Sequence, residues 1–193
     1  MSALPPMSSI PRVTVRRATR SDIPSIQDIA RVTWADTYRG IIPEEAQARV
    51  LGRAYSAESL SLSIDRSQAF LVAEASRESE GPTALAGYVD VDFDGKQVNL
   101  HRLYVLPDYQ RMGLGRRLLE EAVSLTARCL SSRTLIVAYV ERDNHKARSF
   151  YRKVGFVEDD EEIVVIGGVS LPVIRISRPV EVGSVVAEDR SRS

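Results

Sequence analysis

Apolar and polar positions alternate from Val13 to Arg17, which predicts a first strand. Ile23, Ile26, Ile29, Ala30 and Trp34 then recur at a helical period. Ser21 is the expected N-cap of that helix, with Pro24 in its first turn. Gly40 ends the segment, Pro43 opens a second short helix, and a third runs from Ala57 to Arg66. Ala69 to Ala75 reads as a buried strand and the polar SRESEGP stretch as a turn. Two strands, Ala84 to Phe93 and Gln97 to Val105, flank the hairpin signal Asp94-Gly95. The strongest helix spans Leu114 to Leu130, with apolar positions 114, 118, 119, 122, 125, 129 and 130 on one stripe. A strand from Thr134 to Val140 follows, then a helix from Asn144 to Val154 that Gly155 closes. Ile163 to Ile166 and Val169 to Ile176 form a last hairpin around Gly167-Gly168. The acidic run Glu158 to Glu162 before it reads as a charged loop. The order predicts one mixed α/β domain over residues 12–178, with a mobile tail at 1–11 and a second tail at 179–193.

Composition narrows the function class. The 193 residues carry 26 Lys plus Arg and 26 Asp plus Glu, a balance that argues against bulk nucleic-acid binding. No apolar run approaches the roughly 18–20 residues of a membrane span. The start shows no basic stretch followed by an apolar one, so no secretory signal and a reducing, cytoplasmic setting are expected. The single cysteine, Cys129, excludes an intramolecular disulfide, and its place on the apolar stripe reads as a buried structural thiol. With two histidines, His101 and His145, no metal centre is expected. Asp90, Asp92, Asp94 and Gly95 open like a calcium loop, but His101 stands where that loop needs Glu, and strands flank it.

The chemistry-bearing segment is Leu103 to Arg117, LYVLPDYQRMGLGRR, a strand running through a glycine turn into a helix. Gln110, Gly113 and Gly115 fall where N–H groups are unpaired at a helix start, and Arg111, Arg116 and Arg117 add positive charge. Such a terminus attracts phosphate. It is neither a P-loop, since no Lys-Ser/Thr follows Gly115, nor a dinucleotide motif, since Leu118 replaces the third glycine. A second segment, Asn144 to Phe156, reads NHKARSFYRKVGF. Tyr151 lies two turns after Asn144, with small Ala147 on the same side.

Together the two segments resemble the GCN5-related N-acetyltransferase (GNAT) superfamily. Gln110-Arg-Met-Gly113-Leu-Gly115 matches its Q/R-x-x-G-x-G/A signature, preceded by Leu103-Tyr104-Val105 and Pro107. Asn144, Ala147, Phe150, Tyr151, Gly155 and Phe156 match N-x-x-A-x-x-F-Y-x-x-x-G-F. The resemblance implies a central, mostly antiparallel mixed sheet of about seven strands, splayed in the middle and flanked by helices. It implies acetyl-CoA as donor and an amine as acceptor. The pyrophosphate would sit on the N–H groups of Arg111, Met112, Gly113, Leu114, Gly115 and Arg116, and the pantetheine arm beside Leu103, Tyr104 and Val105. The Val105 N–H would polarise the thioester carbonyl. Asn144 and Ala147 would border the arm, and Tyr151 would supply a proton to the leaving thiolate.

One departure concerns the base. Many members carry Glu eleven residues before the motif Gln or Arg; here that position is Asn99, which cannot accept a proton. His101, on the same strand and face, and Glu141, at the end of the next strand, are substitutes. A water chain or an amine arriving neutral is the alternative. Asp90 and Asp92 share a strand face, as a solvated edge or as an acidic lining for a cationic amine. Trp34 and Tyr38, in W-x-x-x-Y-x-G-x-x-P, occupy the segment that walls the acceptor site in such proteins, a pattern also found among polyamine acetyltransferases. The expected activity is acetylation of a small cationic amine such as a polyamine. The alternatives are acetylation of a protein N-terminus or lysine, and an acyl-CoA-binding regulatory module. The same resemblance makes Val169 to Ile176 a candidate homodimer interface.

Overall fold

The computed structural model describes residues 12–76, 83–126 and 134–180. Its strands are β1 (Arg12–Arg17), β2 (Ala69–Ser76), β3 (Ala84–Phe93), β4 (Val98–Val105), β5 (Leu135–Glu141), β6 (Val157–Ile166) and β7 (Val169–Pro179). Its helices are α1 (Ile23–Thr37), α2 (Glu44–Ala54), α3 (Ala57–Arg66), α4 (Leu114–Thr126) and α5 (His145–Lys153). The seven strands form one sheet in the order β1-β2-β3-β4-β5-β7-β6. Every described pairing is antiparallel except β4 with β5. That parallel pairing holds only at Val98↔Ile136 and Asn99↔Val137. Beyond Asn99 the two strands part, so the splay lies at the centre of the sheet.

Each face of the sheet has its own core. Leu114, Leu118, Leu119, Ala122 and Val123 of α4 pack on Leu71, Val89, Leu100 and Ile136. On the other face Ile26, Ile29, Ala30 and Trp34 of α1 meet Leu60, Phe70, Val72 and Tyr88. The alternation in β2 and β3 divides their side chains between these two layers.

Four local expectations are corrected. The cap of α1 is not Ser21. Asp22 occupies that position, and its carboxylate accepts from Thr19 N–H at 2.7 Å and Thr19 Oγ1 at 2.9 Å. Arg16 fixes it there at 2.7 and 2.8 Å. Leu125 lies at the edge of the α4 stripe and is exposed, while Val123 and Thr126 are buried instead. The acidic run 158–162 belongs to strand β6, with a bulge between Glu158 and Glu161. β6 is an edge strand whose side chains are mostly exposed on both faces, so charge is tolerated there. β7 extends to Pro179, and the N–H of buried Val180 donates to Thr134 O at 2.9 Å, beyond the expected tail boundary. Cys129 and the expected turn at 77–82 lie outside the described residues. Among the described residues no helix is long and apolar enough to cross a membrane.

Candidate active site

The register of β3 on β4 decides which backbone groups face the splay. Leu106 N–H donates to Ala86 O at 2.8 Å, so Gly87↔Val105 and Val89↔Leu103 are non-hydrogen-bonded pairs. The N–H and C=O groups of Leu103 and Val105 therefore point away from β3, toward the gap before β5. Tyr104 lies in the opposite phase. Its backbone faces Tyr88 across the ladder and its side chain turns to the α1 face, so the groups turned to the gap are those of the two flanking residues.

After β4 a single 3-10 turn, Pro107–Tyr109, leads into the glycine loop. Gln110 ties the loop to the strand: its N–H donates to Pro107 O at 3.2 Å and its Nε2 donates to Val105 O at 2.8 Å. The first α4 bond is Arg117 N–H to Gly113 O at 3.0 Å. The N–H groups of residues 111–116 precede it and remain the open helix terminus. Arg111 (φ 61°) and Gly113 (φ 80°) both take the left-handed conformation, which curls this backbone into a cup. At Gly115 a Cβ would meet the Phe150 ring at 3.4 Å, an ordinary contact, so the start of α4 packs beside α5. Arg111 and Arg116 are exposed at the loop, whereas Arg117 reaches back to Val13 O at 2.9 Å and Glu121 at 2.8 Å.

Across the gap, Asn144 caps α5, its Oδ1 accepting from Ala147 N–H at 3.0 Å. Only its amide NH2 is left for a ligand. Tyr151 packs edge-on against Phe150 and Phe156, each at 5.2 Å. Its hydroxyl makes no hydrogen bond to a described residue, and burial pushes its pKa well up. Tyr38 is held at about 12 by the same cause, and its Oη stands 3.5 Å from that of Tyr104. Glu141 is 5% exposed and accepts from Asp143 N–H at 2.8 Å; burial raises its pKa.

A cavity of about 520 Å3 opens on the α1–α3 side of the sheet. Asp90, Asp92, His101, Arg102 and Tyr104 line its β3–β4 side, and Trp34, Tyr55, Ser63 and Ser67 line its helical side. A bulge makes this lining: Asp90 pairs with Arg102 and Val91 with Leu100, which leaves His101 as the extra residue. His101 and Arg102 thus both reach the cavity although they are consecutive. Asp90 is not a free anion. It is buried, ion-paired with Arg102, and accepts from Ser67 Oγ at 2.6 Å. Asp92 stands 2.8 Å from His101 Nε2. Asp94 lies outside the cavity and caps the β3–β4 turn through Lys96 and Gln97 N–H, both at 2.9 Å. Tyr38 reaches the cavity only through Tyr104. Tyr55, Ser63, Ser67 and Arg102 were not singled out by sequence; Arg102 alone left a signal, as a cation beside His101 on an apolar strand.

Residues 66–158 match the family described as Acetyltransferase (GNAT) domain. A spermidine N(1)-acetyltransferase of Thermoplasma acidophilum is 31% identical over 157 residues, 78% of this chain and 91% of that protein. The chain belongs to the GNAT acetyltransferase family. It is an acetyl-CoA-dependent N-acetyltransferase. The GNAT fold is shared with the PaiA N-acetyltransferase of Thermoplasma acidophilum, solved in complex with coenzyme A. The two superpose at a TM-score of 0.71, with 28% identity over 85% of this chain and 98% of that one. An uncharacterized N-acetyltransferase of Archaeoglobus fulgidus is 30% identical over 138 residues, 71% of this chain and 88% of that protein. The Escherichia coli ribosomal-protein-S18-alanine N-acetyltransferase shares the fold at a TM-score of 0.60 and 18% identity, covering 88% of this chain and 94% of that one.

Proposed function

We propose that this GNAT enzyme acetylates a primary amine of a small cationic metabolite, of which a polyamine is the leading candidate. The observation that carries the reading is the cavity beside the splay. Trp34, Tyr55 and Tyr104 give it aromatic walls, with the Arg102 guanidinium over the Tyr55 ring, and Asp92 supplies a half-exposed carboxylate to an alkylammonium chain. The similarity to a spermidine acetyltransferase supports the same class. The lining is less acidic than sequence suggested, because Arg102 neutralises Asp90.

A peptide acceptor is disfavoured by the β6–β7 turn. Gly167 lies so close to α2 that a Cβ there would meet Ala46 O at 2.4 Å, and Arg49 Nε donates to Gly167 O at 2.7 Å. No space for an extended chain separates that turn from the helix.

The donor's pyrophosphate would rest on the cup at 111–116 and its arm beside Leu103 and Val105. Both substrates held together allow direct attack without a covalent enzyme intermediate. His101 takes one proton from the acceptor ammonium. The amine nitrogen then bonds the thioester carbon and the carbon–sulfur bond breaks. Tyr151 gives its proton to the departing sulfur and regains one from the nitrogen. His101 is preferred to Glu141 as base because it lines the cavity and Glu141 does not.

The test is acceptor-dependent thiol release from acetyl-CoA across polyamines, amino acids, aminoglycosides and short peptides. Release ranked highest for polyamines supports the reading. Release only with peptides overturns it. No release with any acceptor, alongside calorimetric binding of acetyl-CoA, favours the regulatory module.

A further inference from the structure

Asn99 stands where many relatives carry a catalytic Glu, and its side chain has a definite occupation. Its Nδ2 donates to Asp92 Oδ1 at 3.0 Å and to Asp94 Oδ2 at 3.2 Å, and its Oδ1 accepts from Gln97 Nε2 at 2.9 Å. Asp94 is itself fixed by the turn N–H groups of Lys96 and Gln97. The second oxygen of Asp92 meets His101 Nε2 at 2.8 Å. An unbroken chain of hydrogen bonds thus runs from the β3–β4 turn through Asp94, Asn99 and Asp92 to His101.

The chemistry of each link fixes the next. A carboxylate only accepts, so the contact at 2.8 Å requires hydrogen on Nε2 of His101. In a neutral imidazole that leaves Nδ1 as the lone-pair nitrogen. Asp92 in turn needs a donor on its other oxygen, and the Asn99 amide supplies it. A Glu at position 99 would instead set a third carboxylate against Asp92 and Asp94. The bulge at His101 completes the arrangement by placing the ring beside Arg102 on the cavity side.

We propose that Asp92 and Asn99 are positioning residues that hold His101 as the Nε2–H tautomer with Nδ1 as the proton acceptor. The departure at Asn99 is then part of a relocated base, not the loss of one. This rests on reading the cavity as the acceptor site. His101 is the catalytic residue; the other two act through it, much as a buried carboxylate orients the histidine of a hydrolase triad.

Two measurements test it. Long-range proton–nitrogen NMR of the full chain reads the His101 tautomer directly, with His145→Gln assigning the signals. Nε2–H is expected in the wild type. In Asp92→Asn the tautomer is expected to reverse, because Asn99 still donates to the carbonyl of residue 92 and turns its NH2 toward the ring. Nδ1–H in the wild type, or no change in Asp92→Asn, overturns the proposal whatever the activity. In steady-state assays with acetyl-CoA and spermidine, His101→Ala should lower kcat about 100-fold and recover with added imidazole. Asp92→Asn and Asn99→Ala should each lower kcat roughly 10-fold or more, with the KM for acetyl-CoA unchanged. Values within twofold of wild type overturn the positioning roles. A wild type that releases no thiol with any acceptor defeats the reading of the site, while the NMR result still decides the tautomer.

Discussion

At the scale of single residues, position and availability separate. The motif alone places Tyr151, and its surroundings keep the resting hydroxyl protonated. Phe150, Phe156 and the core bury its ring, which raises the cost of the phenolate and keeps the proton on oxygen. Tyr151→Phe should therefore lower kcat about 100-fold and leave acetyl-CoA affinity within about twofold, by thiol release and calorimetry. Because burial pushes this group up, its titration should not shape the rate profile at any pH below about 10. Gly113 shows the converse case. Nothing lies within 4 Å of a Cβ there, yet φ is 80°. Gly113→Ala should strain the cup and weaken acetyl-CoA binding roughly tenfold, read by calorimetry, with Tm lowered only a few degrees. Gln110, Asn144 and Asp90 were legible as polar residues at the right places. The engagement of Gln110 with Val105 O and of Asp90 with Arg102 was not, because those partners are chosen by packing.

At the scale of elements, periodicity located every described helix and strand, and misjudged ends and edges. The entry to α1 illustrates why. Ser21 fits the local cap preference, but Arg16 on β1 fixes Asp22, and a partner six residues away outranks a local choice. Arg16, then the Thr19 N–H, hold the Asp22 carboxyl at about 2 against burial, which opposes them. The folded-state pKa is depressed, so the stabilisation is complete above the unfolded carboxyl value of about 4. It is lost as pH falls through the folded one. Asp22→Asn should cost about 1–2 kcal/mol at pH 7 in urea unfolding, and the gap from wild type should narrow by roughly half at pH 3. In the acidic stretch of β6 charge outweighs the period, so the sequence alone reads as a loop there. As an edge strand it leaves Ile163 67% and Val165 71% exposed, so neither face carries the burial signal that marks an inner strand.

At the scale of the whole molecule, distant segments meet around the splay. The β6–β7 turn rests on α2 through Gly167 (φ 59°) and Arg49. Gly167→Val would clash with Ala46 O and strain the turn at once. It should lower stability by about 2 kcal/mol or more and raise the acceptor KM, with the KM for acetyl-CoA unaltered, by thermal melting and kinetics. Side chains from β3, β4, α1, α2 and α3 enclose the cavity, whereas the motifs of the sequence lie on the β4 loop, α5 and the end of α1.

The sequence by itself determined the mixed fold, the order of its elements and the family. Each of these is a property of spacing: glycine conformations, alternation and helical period act locally and leave a local trace. Only the tertiary structure decided which charges are already paired and which side chains line the cavity. Arg102 neutralises Asp90, Asn99 holds Asp92, and a one-residue bulge turns His101 into the cavity. Those outcomes depend on how strands register across the sheet, and register is set by the packing of both faces together.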